Sequence, residues 1–216
     1  MPGSTEILAG LTAIANRAIG AAAAWHIVVA IALVALAIGW RPSERVARTL
    51  VVIPLVSVAG FALAFGNPFN GFIFVAGSIT LVALASVGDR RAVQRGSWWA
   101  SWAGVAMIAF GWVYPHFLEG HPTSYLFAAP LGLVPCPSLS AAIGFALVGN
   151  GLGARAWSIT LSALGVFYGL FGVLRLGVFI DVGLVGGATV LFATAIRSQA
   201  SKADARARAG ACLGSP

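Results

Sequence analysis

Residues 46–88, "VARTLVVIPLVSVAGFALAFGNPFNGFIFVAGSITLVALASVG", consist of two long apolar runs on either side of a short turn. Each run holds about 20 residues, and a helix of that length rises about 30 Å, the thickness of the hydrocarbon layer of a bilayer. The turn "FGNPFNGF" (65–72) is rich in asparagine, glycine and proline, which end helices and form turns. The segment therefore predicts a hairpin of two transmembrane helices, 46–66 and 70–88.

Similar apolar runs fill most of the chain. Of the 216 residues, 59% are hydrophobic and 9% are charged, a composition typical of a polytopic membrane protein. The pattern predicts an all-α membrane helix bundle of about seven transmembrane helices. Besides the hairpin, the predicted spans are 18–40, 97–117, 132–152, 156–174 and 177–196. These spans leave no room for a separate soluble domain.

The predicted organisation has three parts. Residues 1–17 form an N-terminal interfacial segment, because "STEILAGLTAIAN" (4–16) fits a short interfacial helix and Arg17 favours that over an extension of the first span. Residues 18–196 form the seven-helix transmembrane domain, with an outer loop at 118–131. Residues 197–216 are polar and rich in small residues, which predicts a flexible cytoplasmic tail.

The positive charge of the chain, a formal +7, is unevenly distributed. If seven spans alternate from an outside N-terminus, all 13 lysine and arginine residues except Arg17 and Arg175 fall on the inner side. The positive-inside rule predicts this arrangement, with the N-terminus outside and the C-terminus cytoplasmic. The basic residues then orient the protein and contact the anionic lipid of the bilayer, so no nucleic-acid partner is expected.

Reactive side chains gather on the predicted outer side, mostly in "VYPHFLEGHPTSYLFAAPLGLVPCPSL" (113–139). Apart from Arg48 at the inner end of the span 46–66, the inner halves of the predicted spans carry no ionisable residue. This one-sided arrangement favours an outward-facing site over a relay that crosses the membrane, because ionisable residues within a membrane usually mark function. The predicted binding residues are His121, Cys136, Asp181, His26, Tyr114 and Glu119.

A metal site is one hypothesis for these residues. Two imidazoles and a carboxylate can bind zinc, and a thiolate favours soft metals, so a soft or borderline metal ion is the candidate cofactor. The alternative is that these polar residues simply lie among the lipid headgroups at a span end. The candidate metal ligands are His121, His116, Glu119 and Cys136.

Cys136 lies between two prolines in "VPCPSL". Proline restricts the backbone and has no N–H, so Cys136 is expected where the outer loop re-enters the membrane as the fifth span. The thiol there could be a nucleophile or a soft-metal ligand. An equally good interpretation is a small apolar residue that fills a bend.

His26 lies about 12 Å into the first span at the helical rise. An ionisable group at that depth needs a partner, and the candidates are Asp181, Glu119 and Tyr168. A structural histidine and a functional one are both consistent with this position. Near the turn between the last two spans, Arg175 and Asp181 are expected to form a structural ion pair.

The string Tyr114-Pro115, Gly120-His121, Pro130, Gly132 and Pro135-Cys136-Pro137 resembles the signature of a bacterial family of multi-pass membrane proteins of unknown function. The signature has the form YP…GH…P.G..PCP, and the resemblance covers residues 46–196. It implies the same membrane fold and carries over His121, Cys136 and Asp181. The resemblance also implies a multi-pass protein of the bacterial cytoplasmic (inner) membrane. It implies no reaction.

These observations predict a membrane protein that binds or translocates a small molecule or ion through an outward-facing site. One alternative is a membrane-embedded enzyme that acts on a lipid or quinone, with Cys136 or His121 as the reactive group. Another is a non-catalytic subunit of a membrane complex. Its partner, or a second copy of the chain, would contact glycine-rich helix faces: Gly165, Gly169 and Gly172, and Gly183, Gly186 and Gly187.

Overall fold

A computed structural model describes residues 3–87, 91–119 and 121–213, with side chains as far as Arg197. Within these residues the chain is helical and has no strand beyond a single bridge between Ser43 and Ala92. The helices are α1 (Ser4–Arg17), α2 (Ile19–Ala37), α3 (Glu44–Ala64), α4 (Pro68–Ser86), α5 (Trp98–Val113), α6 (Tyr125–Ala128), α7 (Pro135–Val148), α8 (Arg155–Leu176) and α9 (Val182–Leu213).

Helices α3 and α4 form the hairpin that residues 46–88 predict. Ser43 caps the N-terminus of α3 by accepting a hydrogen bond from the Val46 N–H at 3.4 Å. Asn67 caps α4 in the same way, accepting from the Asn70 N–H at 3.1 Å, and Pro68 occupies the first helical turn. These caps satisfy backbone donors that helix ends leave free. The short polar turn therefore sets where one helix ends and the next begins.

Among the described residues, five helices are long and apolar enough to cross a membrane: α2, α3, α4, α8 and the first part of α9. Helices α5 and α7 are apolar but have 16 and 14 residues, or about 24 and 21 Å. Pro115 follows the end of α5 and disfavours helix at the residue before it. The prediction of a helical membrane bundle is confirmed, while two of the seven predicted spans are shorter helices than expected.

Helix α7 lies at the centre of the bundle and is buried on nearly every side. It packs against α3, α5, α8 and α9. Glycines allow α5 to approach it closely: a Cβ at Gly104 would lie 2.6 Å from the Gly144 carbonyl oxygen, and the reverse contact has the same distance. Because small residues let helix backbones approach in membranes, this crossing holds α5 and α7 together.

Most of the described arginines lie in the loops after α2, α4 and α7 or in the first turns of the helices that follow, and these loops meet at one end of the bundle. The Glu44 N–H donates to the Arg91 carbonyl at 2.8 Å, and the Val93 N–H donates to the Pro42 carbonyl at 3.0 Å. The Gly96 N–H reaches the Val148 carbonyl at 2.9 Å. These backbone bonds join the segments after α2, α4 and α7 into one surface, called the basic end below.

Arg48 departs from the expectation that the basic residues of this end contact lipid. Only 1% of its surface is exposed. Its guanidinium lies 3.8 Å from the Glu44 carboxylate and donates to the Leu84 carbonyl at 3.4 Å. Arg48 therefore links α3 to α4 inside the bundle, because its position in the first turns of α3 turns it toward the neighbouring helix.

The opposite end carries α1, which is a separate helix that ends before Ala18. It buries Leu11, Ile14 and Ala15 against the bundle. The Asn16 amide donates to the Phe117 carbonyl at 2.9 Å, and its side-chain oxygen accepts from the Glu119 N–H at 3.0 Å. At the C-terminus, α9 continues as helix to Leu213, across most of the segment for which a flexible tail is predicted.

Most of the glycines predicted as helix contact faces pack within the chain itself. Gly165 lies against Ile143 and Ala188, and Gly169 lies against Val185. Gly183 approaches Phe110 and Gly187 contacts Met107, whereas nothing lies within 4 Å of a Cβ at Gly186. These glycines therefore serve the internal packing of α8 and α9, and a partner or second copy of the chain on these faces gains no support.

Candidate functional site

Three of the predicted binding residues meet in one buried cluster at the α1 end of the bundle. The Tyr114 hydroxyl donates to Asp181 Oδ1 at 2.7 Å, and the Cys136 thiol donates to Asp181 Oδ2 at 3.1 Å. Tyr114 is fully buried, Asp181 is 1% exposed and Cys136 is 8% exposed. Residues separated by as many as 67 positions in the sequence thus form a single hydrogen-bonded group.

Each member of this polar cluster stands at a helix end. Tyr114 directly follows α5, and Asp181 directly precedes α9. Cys136 is the second residue of α7, between Pro135 and Pro137. A proline at the start of a helix has the required φ and no N–H to leave unpaired. The two prolines therefore start α7 at a buried position, as the re-entry prediction for "VPCPSL" requires.

Gly172 of α8 makes room for the carboxylate. A Cβ at this position would overlap Asp181 Oδ2. The sequence predicted Gly172 only as a glycine of a helix contact face and did not predict its contact with Asp181. Its absence of a side chain lets Asp181 point into the bundle between α5, α7 and α8.

The ion pair expected between Arg175 and Asp181 is absent. The salt bridge found among the described residues is Arg48–Glu44, and Asp181 instead accepts from Tyr114 and Cys136. Arg175 is exposed, whereas Asp181 faces inward onto Gly172. The carboxylate therefore has two neutral donors and, within the described chain, no cation to balance it.

A second buried pair lies next to the cluster. The Tyr168 hydroxyl donates to Asn70 Oδ1 at 3.1 Å, and both side chains are buried. Asn70, Tyr168, Cys136 and Asp181 line one small cavity of about 10 Å³, which is the space of about one water molecule. Sequence reasoning named Tyr168 only as a partner for His26 and treated Asn70 as a turn residue.

His26 is buried but lies away from this cluster. Its Nδ1 lies 2.9 Å from the Ala22 carbonyl oxygen and its Nε2 lies 2.9 Å from that of Trp112. Its ring also meets the Trp112 ring edge-on at 4.7 Å. None of the expected partners Asp181, Glu119 and Tyr168 contacts it, because His26 faces the end of α5. It links α2 to α5.

The remaining predicted residues lie in the loop after α5. His121 and Glu119 are exposed, and His121 Nδ1 lies 2.9 Å from the Thr123 hydroxyl. Partial burial against Phe117 lowers the pKa of His116, which favours its neutral form. Within the described residues, no three histidine, cysteine, aspartate or glutamate side chains are grouped closely enough to hold a metal ion. The predicted ligand set is therefore not assembled there.

Phe117 adds a conformational feature that sequence reasoning missed. Its φ of 79° lies in the left-handed region, which is costly for a bulky residue. Its ring stacks on Tyr114 with centroids 6.0 Å apart, and its carbonyl accepts from Asn16. These contacts hold the strained residue in place, and the ring covers one side of the cluster.

Comparisons with known proteins give no relative for this chain. No family model, no curated protein and no solved structure matches it.

Proposed function

We propose that the chain is a seven-span membrane protein that binds a small monovalent cation at Asp181, from the outer side of the membrane. In this proposal α5 and α7 complete the five longer spans. Apolar character and close packing against each other and against α9 support that role. The collection of arginines at the opposite end supports an outside N-terminus. The signature resemblance alone supports a bacterial inner membrane.

The observation that carries the proposal is a buried carboxylate that forms no salt bridge with any described lysine, arginine or histidine. An ionisable group in an apolar bundle is costly unless a partner balances it. Asp181 has two neutral donors, and the adjoining cavity of about 10 Å³ is otherwise mainly apolar but is also lined by Asn70 and Tyr168, whose side chains carry oxygen atoms. Carboxylate, amide and hydroxyl oxygens suit hard cations. A single cation in this cavity would balance the charge.

The size of the cavity also selects against larger ligands. About 10 Å³ is far below the 300–1,000 Å³ of pockets that hold organic molecules. The enzyme alternative needs a lipid or quinone to reach Cys136. The large apolar groove of the bundle is lined by other residues and includes neither Cys136 nor Asp181. An ion fits the geometry better than an organic substrate.

The test is thermal unfolding of the purified full-length protein in detergent at pH 8, in lithium, sodium, potassium or choline chloride at equal ionic strength. A bound ion stabilises the folded state by RT ln(1 + [L]/Kd), about 2.7 kcal/mol at 100 times Kd. We expect at least one of the three metal ions to raise the midpoint by several degrees over choline.

The control is Asp181→Asn, which preserves the side-chain shape and removes the charge. This variant should lose the difference between the metal salt and choline. Because a proton competes for the same carboxylate, the wild-type difference should also shrink at pH 5. Equal midpoints of the wild type in all four salts would overturn the proposal.

A further inference from the structure

A second depression of the molecule lies between α2 and the rest of the bundle. This lateral groove has a volume of about 660 Å³ and is lined by residues of α2, α3, α5 and α7 together with the segment 93–95. Its walls are almost entirely aliphatic and aromatic. The groove shares no lining residue with the cavity beside Asp181. It is therefore a separate feature of the fold.

The groove exists because α2 is attached to the bundle at one end only. The Trp25 indole donates to the Ser57 hydroxyl at 3.0 Å, and His26 contacts the Trp112 carbonyl. Gly132 lies directly against the Trp25 ring. Beyond this attachment, α2 packs mainly on α1 and α6, which lie at the same end. Val29 still packs in a buried cluster with Ile108 and Ala141, and the rest of the helix as far as Ala37 borders the groove.

The two ends of the groove are lined by chemically different residues. Near Trp25 its walls are apolar, and at the basic end they include Arg41, Gln94 and Arg95. Neither arginine forms a salt bridge within the described residues, and the nearby Glu44 carboxylate is engaged by Arg48. Trp40, at the same level, is a residue typical of the membrane–water interface.

These dimensions and charges match one kind of molecule. From Trp25 to Ala37, the last residue of α2, the groove extends about 18 Å along the helix at the helical rise. One leaflet of the hydrocarbon layer measures about 15 Å. An acyl chain of one leaflet therefore fits along the groove, while two arginines at its basic end match a phosphate.

We propose that the lateral groove binds one anionic phospholipid, with an acyl chain between α2 and α7 and its phosphate at Arg41 and Arg95. The lipid enters sideways from the leaflet at the basic end. It fills the space that α2 leaves beside α3, α5 and α7. This site is independent of the cation site at Asp181, so either can fail without the other.

Native mass spectrometry of the full-length protein tests the proposal. The protein is reconstituted in bilayers of phosphatidylglycerol and phosphatidylcholine with identical acyl chains, released into a mild detergent, and analysed for retained lipid. We expect one retained phospholipid per chain, with phosphatidylglycerol enriched at least tenfold over its share of the bilayer.

Two pairs of variants test separately the role of the arginine charges and the role of the free volume of the groove. Arg41→Gln with Arg95→Gln should reduce the enrichment to the composition of the bilayer, whereas Arg45→Gln, an exposed arginine outside the groove, should leave it unchanged. Ala32→Trp fills the groove and should abolish retention of either lipid. Its control Ala35→Trp, outside the lining, should not. Thermal unfolding of each variant shows whether it is folded.

Three results would overturn the proposal. The first is retention of both lipids in the bilayer ratio by the wild type. The second is a dimer of the chain that excludes lipid, since a second copy would then occupy the groove. The third is displacement of the retained lipid by inorganic phosphate alone, which would assign the arginines to a free anion.

Discussion

The two ends of α7 border opposite kinds of depression. Its first residues belong to a polar cluster around a cavity of about 10 Å³, in which both Asp181 oxygens have a donor. Its later residues, among them Phe145 and Val148, line an apolar groove of about 660 Å³. At the first end the side chains are closely packed and joined by hydrogen bonds, whereas at the other end the later part of α2 borders open space. Substitutions should therefore have large effects at the cluster and small effects in the groove.

The largest effect is expected from Gly172→Ala. The added methyl group overlaps the Asp181 carboxylate, so Asp181 must move and leave two buried donors unpaired. Overpacking and unpaired polar groups together should cost about 3 kcal/mol. We expect the midpoint of thermal unfolding to fall by about 6–12 °C.

The matched control is Gly186→Ala, on α9, where nothing lies within 4 Å of the new methyl group. This change should be neutral or stabilising by up to about 1 kcal/mol, because alanine favours helix over glycine. If Gly172→Ala is as harmless as Gly186→Ala, the carboxylate is not held as described.

A smaller effect is expected from Tyr114→Phe, which removes one donor to Asp181 and keeps the ring. A hydrogen bond to a charged group contributes about 1.5–3 kcal/mol. Cys136→Ser keeps a donor and should cost less. A double-mutant cycle of Tyr114→Phe and Asp181→Asn, measured by thermal unfolding, should give a coupling energy of about 1 kcal/mol or more. Strict additivity would contradict the bond at 2.7 Å.

His26→Phe tests how α2 is attached to the bundle beside the groove. The substitution keeps a ring against Trp112 and removes both contacts to carbonyl oxygens, at a cost of about 1–3 kcal/mol. Hydrogen exchange should become faster along α2 and stay unchanged at the starts of α7 and α9. Faster exchange at all three places would mean that the groove and the polar cluster are not independent.

The smallest effect is expected from Ala32→Leu on the groove side of α2. The groove has space for the added atoms, so stability should change by no more than about 0.5 kcal/mol. Thermal unfolding checks this directly. A loss of 2 kcal/mol would show that the helix packs closely at this position and that the groove is narrower than described.

Hydropathy and turn residues were sufficient to predict the hairpin and the helical bundle, because both follow from local sequence. Rarity of reactive side chains placed Tyr114, Cys136 and Asp181 among six candidates, but it did not separate them from His26, His121 and Glu119, which lie outside the cluster. The partner of Asp181 was predicted wrongly, since Arg175 is near in sequence while Tyr114 is near in space. Which residue pairs with Asp181 depends on how α9 is rotated within the bundle, and that rotation follows from contacts between residues far apart in the sequence, such as Tyr114 with Asp181.

The lengths of α5 and α7 show a second limit of the sequence. Apolar residues continue beyond both helices, so the runs 97–117 and 132–152 predict full spans. In the structure, Pro115 ends the first and glycines end the second in a turn where Gly151 and Gly153 have positive φ. Hydropathy measures the preference for lipid and does not show where a helix stops.

The burial of α7 bears on how the protein is made. A helix of 14 residues surrounded by other helices presents almost no surface to lipid, although in the proposed seven-span arrangement it would first enter the bilayer as a solitary segment. Two of its neighbours, α8 and α9, are synthesised after it. α7 therefore reaches its final environment only when the C-terminal hairpin has joined the bundle. Truncation before residue 155 should leave a product that membrane quality-control proteases degrade.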